Sequence, residues 1–140
     1  MVKLPRDGTL DVKIYYEDTD SLGVVYYANY LKYFERGRTE LVNASGRGIE
    51  KWNAAGMNFA VYKANVTYLA PARLGDTCQV VTHVLGGSSG YRLVMEQELL
   101  RAGKVITKAE IHLVCLDEAL ELREFPPEML PEDDPDDLTP

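Results

Sequence analysis

The chain has 140 residues, 46% of them hydrophobic and 26% charged, and a formal net charge of −7. That length supports one domain whose single core buries roughly two thirds of the unfolded surface, and no apolar run approaches the roughly 20 residues needed to cross a bilayer. Five of the seven net negative charges come from Glu132, Asp133, Asp134, Asp136 and Asp137, which leaves −2 on the rest and no basic patch for nucleic acid.

Residues Met1 to Gly8 lack the apolar centre of a signal peptide, so a cytoplasmic protein is expected. Leu10, Val12, Ile14 and Tyr16 then alternate with Asp11, Lys13, Tyr15 and Glu17, the pattern of a half-buried strand. Tyr30, Phe34, Gly37, Leu41 and Ala44 recur at helical spacing, which predicts a helix from about 27 to 45 with Gly46 as its stop. Glycine in a helix interior costs about 1 kcal/mol relative to alanine, so Gly37 on the apolar face predicts a close approach of helix backbone to sheet. Tyr30 and Phe34 are assigned to core packing, and Tyr26 and Tyr27 to a pocket or interface. The segment from Gly48 to Gly56, containing Trp52, reads as a short second helix or a covering loop.

Four further strands are predicted at about 58–69, 77–86, 90–101 and 104–117. The run from Gly86 to Gly90 and the pair Ala102-Gly103 supply turns for antiparallel connections. In the last strand Val105, Ala109, Ile111, Leu113 and Cys115 should share one face, and Lys108, Glu110 and His112 the other. Cys78 and Cys115 have no metal-ligand partners at useful spacing and read as buried small residues, and His83 and His112 as ordinary sheet positions. The domain is expected to span 1–125. An acidic, proline-punctuated tail over 126–140 cannot bury a core and should stay disordered. Periodicity alone gives an α+β class.

The chemistry concentrates where the first strand gives way to the helix, in Glu17-Asp18-Thr19-Asp20 followed by Tyr26-Tyr27-Ala28-Asn29-Tyr30. A helix N-terminus offers unpaired N–H groups and the positive end of the macrodipole, which together stabilise an oxyanion forming on a carbonyl. A carboxylate just upstream can attack that carbonyl or activate water. Asp18 and Asp20 flank Thr19, so an extended backbone would point both to one side. The same residues equally suit turn and capping chemistry, and spacing by itself favours that plainer role.

This order of residues resembles the hotdog-fold thioesterases of the 4-hydroxybenzoyl-CoA thioesterase family, in particular the acyl-CoA thioesterases associated with the bacterial Tol-Pal system. The likeness continues through Tyr30 to Leu41, through Tyr68-Leu69-Ala70-Pro71-Ala72-Arg73-Leu74-Gly75-Asp76 and into Ala109 to Asp117, covering roughly residues 10–117. It implies an antiparallel five-stranded sheet wrapped around one long central helix. It also implies an acyl-CoA substrate, no metal or redox cofactor, and a homodimer or homotetramer with sites at subunit interfaces. The family's carboxylate falls on Asp20, and its backbone oxyanion donor on Tyr27, where several Tol-Pal-associated members have His. Some hotdog thioesterases carry the carboxylate on the central helix, which makes Glu35 the reserve candidate. The turn that family members place near the CoA phosphates corresponds to Ser88, Ser89 and Arg92, with the Arg displaced, and a plain hairpin turn suits it equally. Two other readings stand beside hydrolysis: a hotdog acyl-thioester dehydratase, which would want a His absent from the motif, and a noncatalytic acyl-CoA-binding or Tol-Pal-linked scaffold.

Overall fold

A computed structural model describes residues 3–86 and 89–131. Its secondary structure runs β1 (Asp7–Lys13), α1 (Tyr30–Asn43), α2 (Ile49–Ala54), β2 (Asn58–Tyr68), β3 (Thr77–Gly86), β4 (Leu93–Arg101), β5 (Lys104–Leu116) and β6 (Leu122–Arg123). Five long strands form one antiparallel sheet in the order β1-β3-β4-β5-β2. The two-residue β6 pairs with β5 at Cys115 and Leu116, beyond the point where β4 stops. The sheet wraps α1, as the sequence predicted, with the short sixth strand as an addition.

Inward residues alternate along each long strand of the sheet's centre. Cys78, Val80, Thr82 and Val84 on β3, and Leu93, Met95, Gln97 and Leu99 on β4, are all buried. Tyr33, Phe34 and Leu41 of α1 close over them, and Tyr30 and Phe34 take the core places expected of them. A fully buried aliphatic or Phe side chain contributes about 1.5–3 kcal/mol, so this layer is the main source of stability. Gly37 lies where α1 meets the sheet. A Cβ built there would stand 2.6 Å from Val80 Cγ1 and 3.1 Å from both Gln97 Nε2 and Thr82 Oγ1. Gln97 uses the space, donating from Nε2 to the Phe34 carbonyl at 2.8 Å and to Thr82 Oγ1 at 2.9 Å.

The structure departs from the sequence reading at four places. α1 starts at Tyr30, not 27, because Tyr27–Asn29 form a 3-10 turn leading into it. β1 ends at Lys13, and Tyr16, expected on the inner face, is 81% exposed because the chain has already turned. A register shift where Leu99 pairs Thr107 but Leu100 pairs Val105 puts Ile106 and Thr107 both inside and leaves Val105 half-buried, reversing its expected side. The chain past 125 also packs on the core: Pro127–Met129 form a 3-10 turn and Met129 is buried, so the ordered unit extends beyond the predicted boundary. The acidic run 132–140 lies outside the described residues.

The predicted hairpin turn at Ala102-Gly103 has φ of 51° and 77°, the left-handed pair that a two-residue turn between right-twisted strands requires. α2 forms within the expected Gly48–Gly56 segment, with Trp52 buried and the Arg47 guanidinium 3.6 Å above its ring centre. Asp76 accepts the Arg73 backbone N–H at 2.9 Å, but its ion pair is with Arg101 at 3.1 Å, not with the Arg73 side chain. No helix among the described residues is long and apolar enough to cross a membrane.

Candidate active site

The segment between β1 and α1 is held by its own backbone. Tyr16–Asp18 form a 3-10 turn, and the Tyr15 N–H donates to Asp18 Oδ2 at 2.8 Å. Thr19 then bridges Val25, and Val24 bridges Arg73. The Asp20 N–H donates to the Val24 carbonyl at 2.9 Å, and the Gly23 N–H to the Asp20 carbonyl at 3.0 Å. Asp20 therefore stands at the tip of a small hairpin, whose return strand is fixed by the Val25 N–H donating to the Ala72 carbonyl at 2.9 Å.

Asp18 and Asp20 do not face one way. The 3-10 turn breaks the extended alternation on which that expectation rested, and the two carboxylates part. Asp18 turns inward and is only 8% exposed. Its carbonyl accepts from the Tyr26 N–H at 3.0 Å and from Asn29 Nδ2 at 2.9 Å, tying the acidic turn to the approach of the helix. Burial raises the pKa of the Tyr33 phenol, and the negative charge of Asp18 beside it raises it further. Asp20 turns outward into solvent, with Oδ1 accepting the Leu22 N–H at 2.8 Å in an Asx turn.

Tyr27 is the first residue of the 3-10 turn that abuts α1, a position whose N–H has no acceptor within the turn. Its carbonyl is held from the other side by the Tyr68 hydroxyl, donating at 3.0 Å. The side chains of Tyr26 and Tyr27 are exposed, with ring centres 4.8 Å apart, and a hydrogen bond that the Tyr26 hydroxyl donates to Tyr27 raises the Tyr26 pKa above its ordinary value. From Tyr27 the rings continue edge-on to Tyr68, from Tyr68 to Tyr30, and from Tyr30 to buried Tyr33. The Tyr30 hydroxyl accepts the Ala72 N–H at 3.0 Å, so this aromatic file anchors the same Pro71–Arg73 turn that braces the hairpin. Sequence reasoning missed Asn29 and Tyr68 as positioning groups. Asn just before a helix was the available signal for the first; nothing local marked the second.

The other candidates lie elsewhere. Ser89 and Arg92 sit in the β3–β4 turn, and the ten residues of β3 separate that turn from the Asp20 end of the sheet by roughly 30 Å at about 3.3 Å per residue. Arg92 lies over the Tyr62 ring at 5.5 Å. Ser88 is outside the described residues. Glu35 is exposed on α1 and borders a cavity of about 370 Å³ between α1 and the inner faces of β4, β5 and β2, to which no residue of the Asp20 loop contributes. Cys78 and Cys115 are buried, and burial raises both thiols above their ordinary range. Among the described residues no group of three or more His, Cys, Asp or Glu could hold a metal ion.

The thioesterase-like superfamily profile matches residues 15–132. Acyl-CoA thioester hydrolase YbgC of Escherichia coli O6:H1 is 38% identical over 107 residues, 76% of this chain and 79% of that one. Acyl-CoA thioesterase YbgC of Haemophilus influenzae is 35% identical over 118 residues, 81% of this chain and 84% of that one. Among solved structures, a probable thioesterase from Bartonella henselae superposes with a TM-score of 0.81 at 28% identity, covering 86% of this chain and 99% of its own. A wrapped central helix, a matching profile over most of the chain and these relatives agree: the chain belongs to the thioesterase-like superfamily and has its hotdog fold.

Proposed function

We propose that the protein hydrolyses acyl-CoA thioesters, with Asp20 as general base or nucleophile and the Tyr27 backbone N–H as oxyanion donor. The observation that carries this reading is the backbone-braced hairpin, which presents the Asp20 carboxylate to solvent just ahead of the unpaired first amide of the turn into α1. As a base, Asp20 takes a proton from water. The hydroxide oxygen bonds to the acyl carbon, the carbonyl oxygen becomes an oxyanion facing the Tyr27 N–H, and collapse breaks the C–S bond to release a carboxylic acid, which ionises in water, and a CoA thiolate, which takes up the proton held by Asp20. As a nucleophile, Asp20 displaces the thiolate to form a mixed anhydride that water then cleaves. A thiol with a pKa near 8.5 leaves as thiolate without a strong general acid, so one carboxylate and one donor suffice. A single oxyanion donor is worth about 3–4 kcal/mol in hydrolases of other folds.

A homodimer, or a tetramer built from it, completes the proposal. The outer edge of β2 pairs with nothing among the described residues, and Val61, Tyr62, Tyr68 and Leu69 are exposed along it and just past it. An open edge of eleven residues is a natural seam for a second copy. A second copy also supplies the way for Ser89 or Arg92 of one chain to serve the Asp20 of another, since one chain holds them far apart. Such an enzyme works in the cytoplasm.

The test is thiol release from short-chain, long-chain and aromatic acyl-CoAs by the native protein and by Asp20→Asn. Asn retains an oxygen for the Leu22 N–H, so the hairpin persists while the charge is lost. Turnover should fall at least 100-fold with acyl-CoA binding retained. Unchanged turnover would remove Asp20 from the mechanism; binding without turnover by the native protein would favour the scaffold reading.

A further inference from the structure

The cavity beside Glu35 has a layout of its own. Leu93, Met95, Leu113, Phe125 and Met129 give it apolar walls, and its volume of about 370 Å³ is within the range of small-molecule sites. Arg38 lines it too, projecting from α1 one residue after the close contact at Gly37. Among the described residues the guanidinium makes one hydrogen bond, Nη1 donating to Gln97 Oε1 at 2.9 Å, and has no ion-pair partner. Gln97 cannot turn to do more, because its amide nitrogen is committed to the Phe34 carbonyl and Thr82.

A cation partly withdrawn from water, with four of its five N–H donors unused, is costly unless an anion meets it. Burial pulls the Arg38 pKa below its ordinary value, with the charge of Glu35 opposing. Glu35 itself is exposed at the rim, too far for an ion pair, where water screens it. Gln97, Met95 and Leu93 follow one another on the inner face of β4, so a lane of roughly 13 Å leads from the guanidinium into apolar wall.

We propose that this cavity binds an apolar molecule ending in a carboxylate, with the carboxylate on Arg38 and the hydrocarbon along Met95 and Leu93. Two sources share that chemistry: a free carboxylic acid, or an acyl chain still on CoA that carries a second carboxylate at its far end. The second source rests on the thioesterase reading above; the first does not.

The probes are octanoate, octanol and the CoA thioesters of octanoic and suberic acids. Octanoate should bind the native protein at least 10-fold more tightly than octanol, shifting the methyl resonances of Met95, Leu93 and Leu113. Arg38→Met should weaken octanoate by about 10- to 100-fold and leave octanol unchanged, the loss expected for a charge-assisted pair. If Arg38→Met does not fold, the octanoate-to-octanol ratio and the methyl shifts on native protein decide alone. Equal affinities, or shifts confined to residues outside the cavity, would overturn the proposal. A lower KM for suberyl-CoA than for octanoyl-CoA, erased by Arg38→Met, assigns the thioester source; equal KM values with octanoate binding intact assign the free acid. Absence of thiol release from any acyl-CoA, with octanoate still bound, would refute the thioesterase reading and leave this site standing.

Discussion

Replacing Gly37 by Ala should destabilise the protein although alanine is the better helix former. In an open helix position the change would gain about 1 kcal/mol. Here the new methyl would meet Val80 Cγ1 at 2.6 Å, inside any contact real Cβ atoms show, with Gln97 and Thr82 each at 3.1 Å. Overpacking of this kind costs about 1–3 kcal/mol. Moving α1 outward also strains the Gln97 hydrogen bond to the Phe34 carbonyl, and a buried polar group left unmet costs about 1–3 kcal/mol more. The net is a loss of about 1–5 kcal/mol, centred near 3, or roughly 10 °C in Tm at about 3–4 °C per kcal/mol. Circular dichroism melts and urea titrations measure it directly. Val80→Ala removes the closest obstructing methyl, so Gly37→Ala in that background should cost at least 1 kcal/mol less than alone. An unchanged or raised Tm for Gly37→Ala would refute the close approach, and additive losses would refute Val80 as its cause.

Asp18→Ala strips the acceptor from the Tyr15 N–H and should lower both stability, by about 1–3 kcal/mol, and kcat/KM for thioester hydrolysis, while Asp18→Asn retains an acceptor oxygen and should restore most of each. A full loss of turnover in Asp18→Asn, checked by thiol release, would give Asp18 a chemical part. Burial raises the pKa values of Tyr30, Tyr33 and Tyr68, and Asp18 adds to the rise at Tyr33, so the folded state holds protons that the unfolded chain releases near pH 10. That stability is present in full below pH 10 and is lost as pH climbs toward the folded values, so urea midpoints should fall above pH 10, and ultraviolet titration should show tyrosines that ionise only on unfolding. Both thiols are buried with raised pKa values, and Ellman reagent should label neither Cys78 nor Cys115 in minutes until denaturant is added.

Periodic stretches were legible from the sequence, and the joins between them were not. The strand at 77–86, the turn at Ala102-Gly103 and the burial of Tyr30 and Phe34 follow from alternation, turn chemistry and helical spacing, and each stands where it was predicted. The tight contact at Gly37 was readable because a glycine on an apolar helix face needs a reason. Parity arguments failed wherever the backbone left regular geometry. Asp18 and Asp20 were placed on one side by a rule for extended chain, and a three-residue 3-10 turn separates them. Val105 was placed inside by the same rule, and a bulge reverses it. In the candidate site, Asp20 and Tyr27 are proposed from the order of residues around them, whereas the hold of Tyr68 on the Tyr27 carbonyl spans 41 residues and has no local trace. Arg38 was passed over because a charged residue in a helix ordinarily faces water; its partner Gln97 sits 59 positions away.

The stack of Arg47 on Trp52 makes the protein its own optical gauge. A six-residue helix such as α2 is far too short to persist unaided, so it exists only while its side chains are anchored. Trp52 is the sole indole of the chain and is also that anchor. Excited at the red edge, where the tyrosines of the sheet do not absorb, its emission therefore reports the docking of one small segment. A red shift that precedes the loss of far-ultraviolet ellipticity during a melt would identify α2 as the first unit to leave, and coincident curves would show that the segment and the sheet part together.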